Sequence, residues 1–469
     1  MDVLKVIFII FEVVILFNIL IFVHELGHFL AARWRGLKVE RFAIWFGKPI
    51  WSTKIRGVEY ALGWIPAGGY VSLPQMATME AIEGKTDETA EQLPNISAKD
   101  KIIVAFAGPL FSFGLALVFA VIVWQVGRPV SEAETTTTIG YVIPDGPAAK
   151  ADLQPGDKII EVDNQPITKF GGMGSSVTWH VVRSEGEIVP IVVERDGERL
   201  TCQVKPEMEK TKIYQRKGLR QIGIFPRQRA FVADVVKDSP AAVAGLKAGD
   251  EVIDVEGAKV FHFAQVGEIV GKQGTNAVTL TVARNGDQFN VVIAPEVPVS
   301  PPDLKPLMGI TWDGTGKTDL AYPGPIEQVR DSVNAMVSTF GALFSSKSDI
   351  SAQHLGGAIK IMDVYSRLFA AEQGWRLALW FSVLMNVNLA ILNMLPIPVL
   401  DGGHITLAII EGIRRRPVSV RIVQYIQTAC AVLLIGFMVY IAFFDVQELP
   451  WKREKEQATP VFAPKPANQ

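Results

Sequence analysis

The apolar residues of this chain gather into four long runs separated by segments of ordinary polar character. Val6–Ala32, Ile102–Val126, Leu377–Leu395 and Tyr425–Phe444 each approach or exceed the roughly 20 apolar residues that carry a helix across a bilayer. Between the second and third runs the pattern changes to short alternating stretches, the mark of half-buried strands. Further on, Ile326, Val329, Val333, Met336, Val337, Phe340, Leu343 and Phe344 fall on one face of a helix, with Asp331, Ser332 and Asn334 on the other. That arrangement suits a helix lying along the membrane surface or packed on a domain.

Charge orients the runs. Arg33, Arg35, Lys38, Arg41 and Lys48 follow the first, and Arg414, Arg415, Arg416 and Arg421 lie between the third and fourth. Basic loops stay on the cytoplasmic side, which puts the long middle segment and both ends outside. Lys452, Arg453 and Lys455 in the tail weigh mildly against this and are outnumbered. Within the first run Glu12 is expected near the outer interface and Asn18 against another helix. Phe42–Trp51 and Tyr60–Leu73 read as β-hairpins against the membrane, and Glu80–Lys101 as a solvated acidic connector.

Composition narrows the class. With 49% hydrophobic and 20% charged residues, the 469-residue chain combines spans with a sizeable aqueous part. A net charge of -2 offers no basic surface for nucleic acid. Cys202 and Cys430 are the only cysteines, too few for a disulfide framework.

An internal repeat fills the middle segment. Gly146-Pro147-Ala148-Ala149, followed by Gly156-Asp157 and Lys158–Val162, returns as Ser239-Pro240-Ala241-Ala242, Gly249-Asp250 and Glu251–Val255. Each copy predicts a short helix, a turn and a strand, with later strand pairs at Val189–Glu194 and Thr201–Val204, and at Val278–Ala283 and Phe289–Ile293. The pattern resembles tandem PDZ domains over 128–215 and 216–298. Such domains take peptides by adding a strand to a sheet edge; the alternative is a pair of spacers that bind nothing. A Pro-rich linker, Pro295 to Pro306, follows.

The chemistry sits at the end of the first run, in Val23-His24-Glu25-Leu26-Gly27-His28-Phe29. On a helix His24 and His28 lie one turn apart on one face, the spacing with which two imidazoles grip one zinc, and Glu25 beside them is placed to take a proton from water. Two His and a Glu inside lipid are costly and mark function. A catalytic zinc takes three protein ligands. The third is expected after the third run, in Asn393-Met394-Leu395-Pro396-Ile397-Pro398-Val399-Leu400-Asp401-Gly402-Gly403-His404. Two prolines break the helix there, and the parallel course of the first and third runs brings this end level with His28. Asp401 is preferred as an anionic ligand and His404 is its rival. His354, His180 and His262 read as loop, surface or core residues.

The two motifs together resemble the site-2 protease family of intramembrane zinc metalloproteases. Four spans with tandem PDZ domains most resemble its bacterial regulator-of-sigma-E branch. The resemblance covers all but the connector and tail. It implies a multi-pass α-helical membrane protein with four transmembrane helices and two inserted extracytoplasmic PDZ-like domains in the bacterial inner membrane. It assigns one zinc ion per chain to His24, His28 and Asp401, and general-base work to Glu25. Asn388 and Asn393 would hold the substrate backbone, and the loop Gly68-Gly69-Tyr70 would engage it as a strand. Ala107-Gly108-Pro109 matches a family signature, but Ser112 stands where the family commonly has Asn. The implied partners are single-span membrane proteins such as anti-sigma factors or signal-peptide remnants, peptide segments at the PDZ-like domains, and the bilayer, with no nucleic acid. Two rivals are a PDZ-bearing scaffold with a dead metal site, which intact Glu25 disfavours, and a secondary transporter, disfavoured by the lack of an inverted repeat.

Overall fold

The computed structural model describes residues 3–76, 96–212, 214–301, 304–314, 319–416, 418–449 and 459–465. The tail residues Lys452, Arg453 and Lys455 and most of the acidic connector lie outside them. Its contacts divide the chain into two compact units: Met1–Arg128 with Ala321–Val337 and Leu355–Gln447, and Pro129–Leu320 with Ser338–His354 and Glu448–Gln469.

In the first unit four helices are long and apolar enough to cross a membrane: Val3–Trp34, Ala98–Val126, Gly374–Asn393 and Val420–Gln447. The second begins inside the expected connector, capped by the Ser97 hydroxyl, which accepts from the Asp100 amide at 3.2 Å. The third stops at Asn393 because Pro396 and Pro398 cannot continue a helix. A turn follows, and helix Asp401–Arg414 starts at its end. Gly402 and Gly403 are required there: a Cβ on either would lie 2.3 Å or less from carbonyl oxygens of Met394, Leu395 or Ile397. The fourth helix presents Val432, Leu433, Ile435 and Val439 outward, all more than half exposed, as a lipid-facing surface would.

The expected hairpins form one sheet. Arg41–Ile55 and Val58–Ser72 are each bent, so that residues 41–44 pair with 59–62 on one side and 69–72 on the other, while 51–55 pair with 58–62. The result is four short segments in the order 51–55, 58–62, 41–44, 69–72. Segment 69–72 is an edge, with no described strand on its outer side. The bend needs Trp45 at a left-handed φ of 68°, and Trp45 Nε1 donates to Asn18 Oδ1. The side-chain partner of Asn18 is therefore in this sheet, in place of the expected helix.

The amphipathic helix spans Pro325–Phe344, and Val329 and Val333 of the expected face pack inward, but the buried side is turned to include Gln328 and Ser332. Ile326 is 74% exposed, whereas Gln328 and Ser332 are buried. The amide of Gln328 donates to the carbonyls of Ala120 and Pro323, both at 2.9 Å, which satisfies it on the buried side.

The second unit contains the two repeat copies. Lys158–Val162 pairs with Val189–Arg195 and that strand with Glu198–Val204; Glu251–Val255 pairs with Val278–Arg284 and that strand with Asp287–Ile293. The hairpin turns are Asp196-Gly197 and Asn285-Gly286, all at positive φ. Each Gly-Asp turn is held by an arginine from the later hairpin: Arg195 Nε to Asp157 Oδ1 at 2.7 Å, and Arg284 Nε to Asp250 Oδ1 at 2.6 Å. Each copy has its own hydrophobic core. Two pairings reach past the boundaries read from the sequence. Ile224–Pro226 pairs with Ile139–Val142, and Ile310–Trp312 with Ala230–Val235, so each copy pairs its early strand with one that follows the copy in the chain.

Candidate metal centre

The first helix and the turn after the third bring three buried donors together. His24 Nε2 and His28 Nε2 are 3.3 Å apart. Asp401 places Oδ2 3.3 Å from the first and Oδ1 3.4 Å from the second. Donors about 2.0–2.1 Å from a tetrahedral zinc lie about 3.3–3.4 Å from one another, a spacing the two imidazole nitrogens meet, while the carboxylate turns one oxygen toward each of them. The donor chemistry agrees. His28 Nδ1 is 2.8 Å from the Val104 carbonyl, which only accepts, so Nδ1 carries the proton and Nε2 turns a lone pair inward. His24 Nδ1 meets the Ser112 hydroxyl at 3.0 Å. Asp401 Oδ2 is buried with no hydrogen-bond partner, the state of an oxygen shaped for a cation. These residues fit a zinc ion.

His404, the rival, is buried one turn further along its helix and is not part of this group of donors. Glu25 borders the same cavity as His28 and Asp401, together with Val71, Ala105 and Met76. Above it runs the sheet edge: a Cβ on Gly69 would lie 3.0 Å from Glu25 Cγ. Gly68 has φ 69° and abuts the Phe46 ring, and that ring stacks on Tyr70 at 6.0 Å. The Tyr70 hydroxyl accepts from Arg41, which points it along the sheet.

The two asparagines differ. Asn393 Nδ2 is 3.5 Å from His24 Nε2, beside the donor group. Asn388 lies five residues earlier, about 140° around the helix, and its Oδ1 is buried without a partner. The turn carrying Asp401 is steadied from the fourth helix, where Gln427 donates to the Pro398 carbonyl at 3.2 Å.

Ser112 and the Val104 carbonyl were not assigned roles from the sequence, although both orient a histidine. The signal for Ser112 was its place in the second span, three residues after the Ala107-Gly108-Pro109 motif. The structure gives that motif a reason. A Cβ on Gly108 would sit 2.2 Å from His28 Nε2, and one on Gly27 2.4 Å from the Ala107 carbonyl, so the two helices touch backbone to backbone at the site. Pro109 donates no amide hydrogen, which removes the helical partner of the Ala105 carbonyl at the cavity wall.

Comparison with known proteins agrees with this chemistry. The profile of peptidase family M50 matches residues 12–437. A Neisseria meningitidis serogroup A protein provisionally named a zinc metalloprotease is 31% identical over 448 residues, covering 91% of this chain and 96% of its own. The regulator of sigma-E protease RseP of Salmonella typhimurium is 27% identical over 472 residues, covering 93% and 98%. A regulator of sigma E protease of Haemophilus influenzae is 28% identical over 468 residues, covering 93% and 98%. With four membrane-length helices and a donor group suited to zinc, the chain belongs to peptidase family M50 and is a zinc metalloprotease of the site-2 type.

Proposed function

We propose that this protein cuts single-span membrane proteins within their transmembrane segments, using His24, His28 and Asp401 as zinc ligands and Glu25 as general base. The observation that carries the reading is the convergence of three buried donor residues, two on a membrane-length helix and one at the turn after another, at spacings suited to zinc and with the Glu25 carboxylate beside them. Zinc held there supplies Lewis acidity toward a water molecule and a scissile carbonyl. Glu25 takes the proton of the attacking water and returns it to the leaving amine. Val104 and Ser112 fix the two imidazoles, and burial among helices keeps bulk water away.

A helical peptide bond is shielded, so the substrate must be extended, and unpaired backbone groups in lipid cost several kcal/mol each. The edge Gly69–Ser72 over Glu25 offers strand pairing, and the amides of Asn393 and Asn388 offer further donors and acceptors.

The reading sets the protein in the bacterial inner membrane with its metal centre toward the cytoplasm. Two ion pairs support a shared side for the basic loops: Arg35–Asp100 at 2.6 Å, and Lys101–Glu411 at 2.7 Å. The repeat copies act as PDZ-like domains on the opposite side. Reporter fusions after Gly36 and Arg416 should read cytoplasmic and fusions at Gly146 or Pro240 external; the reverse would overturn the orientation. Cleavage is tested with a purified single-span substrate. Mass spectrometry should find wild-type products ending inside the span and none with Glu25→Gln, which should still retain zinc. Cuts confined to regions outside the span would refute the reading.

A further inference from the structure

The segment after the fourth helix returns to the second repeat copy. Residues 459–465 run extended along 296–300. Val299 donates to the Val461 carbonyl at 2.8 Å, and Val461 donates to the Ser300 carbonyl at 2.8 Å. Phe462 is only 3% exposed. Its ring lies against Gly309, where a Cβ would come within 3.1 Å of it. Gly309 has φ 80° and is pressed against Ser239, so any side chain at 309 would be strained and would narrow the space the ring fills. Lys465 Nζ reaches Glu296 Oε1 at 2.5 Å.

Strand pairing, one aromatic anchor in a pocket and one cation on a carboxylate are the parts of a peptide-recognition site. The expected Pro-rich linker is thus one wall of a groove. Two features mark the tail as an occupant, not a piece of the domain. The hydrophobic core of this copy closes without Phe462. Pro460 and Pro464 flank the anchor and preset an extended chain, which lowers the cost of ordering it.

We propose that the second repeat copy carries a peptide-binding groove, formed by residues 296–300 with Ser239 and Gly309, whose ligand is an extended segment bearing an aromatic residue followed three positions later by a cation. Residues 459–465 are its tethered ligand. Carried on the same chain, the tail fills the site until a partner peptide of this pattern outcompetes it.

The test needs no proteolysis and is independent of the function proposed above. A fluorescent peptide with the sequence of residues 458–466 is titrated against the purified full-length chain, a chain ending at Leu449, and full-length Phe462→Ala. Anisotropy should saturate for the last two at peptide concentrations at least about tenfold lower than for the wild type. The same peptide with alanine in place of its phenylalanine should bind none of them. Phe462→Ala leaves every groove residue in place, which guards against misfolding of the shortened chain. Equal binding to all three proteins, or no binding to either altered chain, overturns the proposal.

Discussion

Gly108 lies so close to His28 that a methyl group on its Cα would stand 2.2 Å from Nε2. The imidazole cannot retreat, because its other nitrogen is tied to the Val104 carbonyl at 2.8 Å. Gly108→Ala should therefore expel the ring from the donor group, with zinc affinity and cleavage falling at least about 100-fold. Gly114→Ala on the same helix meets nothing within 4 Å and should be near neutral. Zinc content and turnover of the two variants check this. Normal zinc in Gly108→Ala would show that the helices can part at no cost.

Asn393 and Asn388 are expected to act unequally. Asn393→Leu removes the amide beside His24 and should lower kcat roughly 10- to 100-fold with zinc retained. Asn388→Leu removes a buried unpaired acceptor, so it should raise KM with a smaller change in kcat. Helix-breaking Gly or Pro near the substrate cut site should partly rescue both, since less backbone then has to be held open. Steady-state kinetics on substrates with and without such residues separate these effects; wild-type kinetics in both variants would remove the backbone-holding role.

Much of this arrangement was legible in the sequence because it follows from periodicity and direction. His24 and His28 share a face by spacing alone, and parallel first and third spans put Asp401 level with them. Other features depend on contacts that no local pattern encodes. Gln328 shares the buried face of its helix with Val329 because Ala120 and Pro323 offer carbonyls there. Asn18 read as a helix-packing residue, yet its partner is Trp45, reachable only because that residue takes a left-handed bend. The strands at 224–226 and 310–312 pair with strands about 80 residues earlier, a separation beyond any periodicity window. Phe462 lies in a short Pro-flanked stretch, and its burial is visible only in three dimensions.

His262 makes the second repeat copy sensitive to acid. It caps helix Phe263–Gln273 by accepting from the Ala264 amide at 3.1 Å, and it packs among the rings of Tyr141, Phe225 and Phe263. Burial pushes its imidazole down to about 4. A free histidine titrates near 6.5, so the stabilising contribution of neutral His262 is complete above that pH. It is lost progressively as pH falls from about 6.5 toward 4, because the unfolded chain takes up a proton that the folded one refuses. The Tm of the β-rich unit should drop by roughly 5 °C between pH 7 and pH 5. His262→Asn keeps a capping acceptor without a titrating group and should flatten that slope. An unchanged slope would assign the acid sensitivity elsewhere.

The most direct test of the whole account is the identity of the metal ligands. Chelator-free purification followed by metal analysis and zinc-edge X-ray absorption should find one zinc per chain. Its nearest neighbours should be nitrogen and oxygen at about 2.0–2.1 Å, without sulfur. His24→Ala, His28→Ala and Asp401→Ala should each strip the metal, while His404→Ala should keep it. A protein that loses zinc with His404→Ala and retains it with Asp401→Ala would contradict the site described here.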